Sequence, residues 1–182
     1  MSFLRYLPIS RFSLLTMGGL ILLLLFLIFS LVHWSPDRTI RRNQDAFLRG
    51  LEAREPSQFD QYIAESYKDR WGFSKAEMTA SYMDIATQIM LVVLKNEETK
   101  HERAGKRALN YQTIELSAKP LGPLGQVVIQ KANQLEGPWE FTWEKQSAMP
   151  WSWQIVEIDH PELPKNLFNY KPGSIRNALE GL

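Results

Sequence analysis

The stretch WEFTWEKQSAMPWSWQIVEID, from Trp139 to Asp159, decides the fold class. It holds four of the chain's six tryptophans. Strand residues alternate between two faces. Trp139, Phe141 and Trp143 therefore fall on one face, with Glu140, Thr142 and Glu144 on the other. In the second half, Trp151, Trp153 and Ile155 share a face, while Val156 and Ile158 take the opposite one. The turn QSAMP pairs the halves as a hairpin. A strand apolar on both faces is covered on both faces. These rings either form core or line a ligand pocket or partner surface, a use that suits large aromatic side chains. The candidate ligand- or partner-binding rings are Trp71, Trp139, Phe141, Trp143, Trp151 and Trp153.

Upstream of the hairpin the order is helices, then strands. Ser35 is placed to cap a helix with Pro36 at its first position and Asp37 in its first turn. Ile40, Phe47, Leu48 and Leu51 follow near helical spacing. Pro56 breaks the pattern, and Ser57 is expected to cap a short second helix carrying Phe59, Tyr62 and Ile63. YKDRWGF reads as a short extended piece ending at Gly72. Ser74 and Glu77 form a capping box for a third helix through Met78, Tyr82, Ile85 and Ile89. IMLVVL reads as a strand, KNEETKHERAGKR as a charged turn region, and ALNYQTIELSAK as a strand. PLGPLG breaks the chain, and QVVIQKANQL reads as a further strand. This segregation predicts an α+β fold, with helices on one face of an antiparallel sheet.

At the other end lies LLTMGGLILLLLFLIFSLVHW, Leu14 to Trp34, without a charged residue. At about 1.5 Å per helical residue it matches a ~30 Å hydrocarbon core. A cleaved signal peptide has a shorter apolar region, ~7–15 residues, and a small-residue cleavage site. Val32, His33 and Trp34 stand where small residues would be needed. The expectation is an uncleaved transmembrane helix between Leu14 and Trp34, with Trp34 at headgroup level. The arginines after the span outnumber those before it, which favours a cytoplasmic domain. Folded domains, however, translocate with little regard to charge. A short N-terminal tail before one span fits a signal anchor in the inner membrane with the domain exported.

The expected organisation is a tail over 1–13, the span over 14–34, one domain over 35–160 and a Pro-rich tail over 161–182. A formal charge of +1 provides no field for nucleic acid, and the mixed signs between Lys95 and Arg107 make no phosphate-tracking patch. The absence of cysteine excludes disulfides and thiolate chemistry. Glu98, His101 and Glu102 are a weak carboxylate–imidazole set, read as a solvated hairpin end. No phosphate-loop, dinucleotide, nucleophile-elbow or zinc-protease motif occurs, and no cofactor is expected.

The order of helix, short helix with YIAESYKDRWGF, third helix and strands closing with WSWQIVEID resembles the nuclear transport factor 2-like superfamily, the ketosteroid-isomerase type of cone. The resemblance covers about Asp37 to His160. It implies a curved sheet wrapped on three helices around a conical pocket. Family enzymes often place a carboxylate on the piece after the second helix, and Asp69 is the nearest match here. Tyr111 or Tyr82 would then donate to an oxyanion beside it. The alternative is a carboxylate at the cone mouth, solvated or paired with Arg70. The family also includes non-catalytic binding and assembly domains, some anchored in membranes as subunits of secretion machines. A fold does not give function. The implied partners are the bilayer, a protein partner or second copy, and possible small hydrophobic ligands. In the tail, Ser174 is placed to cap a helix with Ile175, Leu179 and Leu182 on one face, docking on its own domain or on a partner.

Overall fold

Ser35, Pro36 and Asp37 start the first helix of the folded domain, although the Ser35 side chain makes no capping hydrogen bond. In a computed structural model the described residues are 11–33, 35–164 and 170–175, with side chains of the first segment described from Met17 to Phe29. Helix α1 spans Arg11–His33 and α2 Pro36–Ala53. The short α3, Pro56–Phe59, runs into a single 3-10 turn, Asp60–Tyr62. Helix α4 spans Lys75–Ala86, β1 Ile89–Ala104, β2 Arg107–Pro120, α5 Pro123–Asn133, β3 Trp139–Lys145 and β4 Trp153–Asp159. The four strands form one antiparallel sheet in the order β1-β2-β3-β4.

The capping box is present in both directions, from Glu77 N–H to the Ser74 hydroxyl and from Ser74 N–H to the Glu77 carboxylate. Other expectations need correction. Pro56, not Ser57, opens α3, with Glu55 as its capping residue. Helix α4 stops at Ala86, and Ile89 begins β1. The charged segment after Leu94 is no turn: it continues β1 to Ala104, because β2 pairs with it residue by residue. QVVIQKANQL is helix α5, entered through Gly122 and Pro123. The piece YKDRWGF holds a turn in place of a regular strand.

Helix α2 presents Ile40, Phe47 and Leu48 to Phe59, Trp143 and Ile155, and these residues form the core. Phe47 meets Phe59 and Phe141 edge-on, at 6.2 and 6.1 Å. The β3–β4 ladder shifts between Thr142 and Trp143, so that Thr142 faces Glu157 while Trp143 faces Ile155. Val156 is the extra residue of this bulge. The shift turns Ile155 and Ile158 to the same interior, which accounts for a strand apolar at both alternations. β4 is the last strand of the sheet, and its outer edge takes up another segment. Lys68 N–H bonds the Val156 carbonyl at 3.0 Å and Ala64 N–H the Ile155 carbonyl at 2.9 Å, docking the segment after α3 on β4.

Strand β1 bulges twice, at Leu91–Val92 and at Thr99. Leu91 takes a left-handed φ of 53°, and Ile89, Val92 and Leu94 all reach the interior cavity. Side chains also cap backbone groups along the sheet. The Glu52 carboxylate accepts from Leu94 N–H at 2.7 Å, and the Asn133 amide bonds both N–H and C=O of Leu116 at 2.8 Å.

The described side chains of α1, Met17 to Phe29, are exposed and almost wholly apolar. Among the described residues no helix is long and apolar enough to cross a membrane. The side chain of Leu14 and all of Trp34 lie outside the described residues, as do residues 176–182 of the expected terminal helix.

Candidate functional site

Between α2, α4, α5 and the concave face of the sheet lies a cavity of about 540 Å³. Phe47, Leu51, Leu94, Ile114, Phe141 and Ile158 supply much of its wall. Helix α5 closes one side with Val128 and Ala132. Leu163, Pro164, Tyr170 and Ile175 from the C-terminal segment complete the lining.

The polar groups of this wall have partners. Asp69 is buried, and its Oδ1 accepts from Trp71 N–H at 3.0 Å and Phe73 N–H at 2.9 Å. Gly72, at φ 83°, permits the tight turn these bonds hold. Burial pushes the Asp69 carboxyl above its ordinary range; the backbone amides of Phe73, Trp71 and Gly72 oppose that rise, and the Asp159 charge adds to it. Tyr82 donates its hydroxyl to the Leu51 carbonyl, and burial raises its pKa to about 12. Tyr67 is raised further, first by burial and then by the Asp69 charge. Arg70 turns away from Asp69 and pairs with Asp159.

A second recess, of about 220 Å³, is lined by Arg41, Asp45, Asn96, Glu98 and Gln112. There Arg41 Nε bonds both Glu98 oxygens at 3.0 Å. The cone cavity is the larger and the more apolar, as binding sites for organic molecules generally are.

No protein-family model and no curated protein matches the sequence. Solved structures do. A nuclear transport factor 2 (NTF2-like) superfamily protein from Salmonella enterica superposes with TM-score 0.53 at 13% identity, covering 74% of this chain and 96% of that one. The fold is NTF2-like. A conserved protein from Planctomyces limnophilus gives TM-score 0.53 at 12% identity, covering 67% of this chain and 91% of that one. A Bdellovibrio bacteriovorus protein gives 0.51 at 8% identity, covering 70% of this chain but 40% of that one.

The NTF2-like cone sorts the candidate residues. Asp69 and Tyr82 line it; Tyr111 does not. Tyr111 sits opposite Lys100 and Glu140 in the sheet, on the face away from Asn110 and Gln112, with the Lys100 ammonium 5.6 Å from its ring. It is therefore placed to donate nothing into the cone. Trp71, Trp139 and Phe141 reach the cavity. Trp143 and Trp153 are core, at 0% and 2% exposure, and Trp151 is half-exposed in the hairpin turn. Glu98, His101 and Glu102 are drawn apart by other partners: Arg41 for Glu98, Asp37 for His101 and Lys100 for Glu102. His160 is fully buried. Its Nδ1 accepts from Glu162 N–H, its Nε2 meets the Gly137 carbonyl at 2.9 Å, and its ring stands edge-on to Trp139.

Asp84 was missed by sequence reading. It is fully buried on α4 and lines the cone. Local pattern gave no signal for it: Asp84 lies off the Met78, Tyr82 and Ile85 stripe expected to face the core, and Ile85 itself is 40% exposed.

Asp69 yields a prediction with a definite sign. A carboxyl whose folded pKa is raised stabilises the fold below its unfolded value and loses that contribution as pH rises through the folded value. Asp69→Asn keeps the Oδ1 acceptor and cannot ionise. It is expected to match or exceed the parent melting temperature at neutral pH, with the gap closing on acidification. A lower melting temperature at neutral pH, recovering to the parent's on acidification, would show that the charge itself holds the turn.

Proposed function

We propose that this protein is a membrane-anchored, non-catalytic NTF2-like binding domain whose cone receives an apolar ligand, acting as an accessory subunit of an envelope complex. One observation carries the binding reading. The cavity is large and apolar, and Asp69, Tyr82 and Asp84 are each hydrogen-bonded within the protein. An enzyme reading would have Asp69 act as general base, yet one oxygen of that carboxylate is committed to two backbone amides. The test uses the full chain in nanodiscs and N-phenyl-1-naphthylamine, an uncharged fluorophore. Saturable binding is expected beyond that of empty nanodiscs, and Ala132→Trp, which fills the cone, should abolish it with the fold retained. Fluorescence equal to that of empty nanodiscs would refute the reading.

The anchor rests on the uncharged run from Leu14 to Trp34 and on the helical backbone from Arg11 to His33. Exposed apolar side chains in such number have no stable place in water. The protein is expected to resist carbonate extraction and to keep Met1 to Trp34 after maturation. A mature N-terminus mapped beyond residue 30 would sink the anchor. Export of the domain predicts protease access in spheroplasts.

A protein partner is favoured by a separate observation. Leu91, Val93, Leu121, Leu124 and Val127 are all 45% or more exposed, at the start of β1 and the start of α5. The start of α2, next to the anchor, is tied to the other end of β1 through Asp37 and Arg103 at 2.7 Å. At ~3.3 Å per residue the patch lies about 40 Å along the strand from that point. It is thus remote from the anchored end and suits a protein better than the same bilayer. Leu124→Glu with Val127→Glu is expected to release co-purifying subunits without changing the melting temperature. Retention of every partner would refute this role for the patch.

A further inference from the structure

A buried carboxylate in an apolar wall is costly unless a donor meets it. Asp84 meets its donor from far along the chain. The Tyr170 hydroxyl donates to Asp84 Oδ2 at 2.7 Å, and Ile175 N–H reaches the same oxygen at 3.3 Å. The Tyr170 ring lies within the cavity lining, edge-on to Phe73 at 6.5 Å. Burial, then the hydrogen bond and charge of Asp84, raise the Tyr170 hydroxyl to about 12, so it remains a donor. The chain leading to it is held by Trp71 Nε1–H on the Pro164 carbonyl at 2.9 Å and by Arg70 on the Leu163 carbonyl at 3.3 Å.

An aromatic ring in an apolar cone, with its hydroxyl on a buried acceptor, is arranged as a bound phenol would be. We infer that the cone recognises an apolar molecule ending in a hydroxyl donor, and that Tyr170 occupies the donor's place on Asp84 in this structure. The inference rests on the cone being the binding site. A tethered occupant competes at high effective concentration, so the free site is only fractionally available. Removing Tyr170 opens one position on Asp84 Oδ2 beside the Ile175 N–H, and a ligand hydroxyl then has a partner that a hydrocarbon lacks.

The experiment compares 4-butylphenol with butylbenzene as displacers of N-phenyl-1-naphthylamine from the full chain in nanodiscs. In Tyr170→Ala the phenol is expected to displace at about tenfold lower concentration than the hydrocarbon, the worth of one good hydrogen bond. In the parent chain that preference is expected to shrink. In Tyr170→Ala with Asp84→Asn it should fall further. Equal displacement by the two probes in Tyr170→Ala overturns the inference and leaves the apolar cone standing. This comparison is made within one variant and holds even if Asp84→Asn does not fold. Failure of the fluorophore to bind at all overturns the inference together with the reading it rests on.

Discussion

Trp143→Ala is expected to lower the melting temperature by roughly 10–20 °C, from a loss of about 3–5 kcal/mol. Trp143 is fully buried in the core that α2 shares with the sheet. Its indole N–H donates to Gln44 Oε1 at 3.1 Å, inside the protein. Truncation leaves a void and strands that oxygen, and a stranded buried acceptor adds its desolvation cost to the cavity's. Native domains hold only about 5–15 kcal/mol in total, so the variant sits near unfolding. Trp151→Ala is the control. Trp151 is 52% exposed in the turn, and its loss should move the melting temperature by only a few degrees. A drop for Trp151→Ala equal to that for Trp143→Ala would contradict this division of the aromatic hairpin into core and turn.

Gly125→Ala is expected to destabilise, against the usual sign for such a change in a helix. Alanine in place of an interior helical glycine ordinarily stabilises by about 0.5–1 kcal/mol. Here an added Cβ would lie 2.1 Å from the Gln88 carbonyl oxygen and 3.3 Å from Pro120 Cα. Both are backbone atoms, and the Gln88 carbonyl already accepts from Leu121 N–H at 2.9 Å. Helix α5 must lift, which costs about 1–3 kcal/mol or more. It carries Val128 and Ala132 away from the cone as it does so. The expected result is a fall of roughly 4–12 °C with faster amide exchange along α5. A rise in melting temperature would show that α5 does not cross so closely over Gln88.

The parts legible in the sequence were those set by local chemistry. Ser74 and Glu77 announced α4 because a capping box needs only two side chains at fixed spacing. The aromatic alternation announced the hairpin. Helix α5 was misread because Val127, Val128 and Ile129 form a β-branched run. The better signals were Pro123 in a first-turn position and Val128 with Ala132 four apart. Strand β1 was misread for a different reason. Its bulge at Thr99 shifts the inward face from Asn96 and Glu98 to His101 and Arg103, so no single alternation runs through it. Such charges sit in a strand because Arg41 and Asp37 of α2 take them up, a contact between segments that no local pattern contains. The site was partly legible in the same way. Asp69 was found from its position in the chain order. Asp84 and Tyr170 come together only through the fold.

The Glu52 and Asn133 bonds to Leu94 and Leu116 have a consequence for behaviour in concentrated solution. β1 is an outer strand of the sheet, and β2 extends beyond the end of β3, whose pairing with it stops at Gln112. Uncovered strand borders invite strands of other chains and nucleate fibrous association. Leu94 and Leu116 stand opposite one another in the ladder, and each has its outward backbone group taken by a side chain of the same molecule. An incoming strand would have to evict a carboxylate on one side and a bidentate amide on the other. Two polar side chains borne on helices thus guard the apolar section of the sheet against self-templated growth.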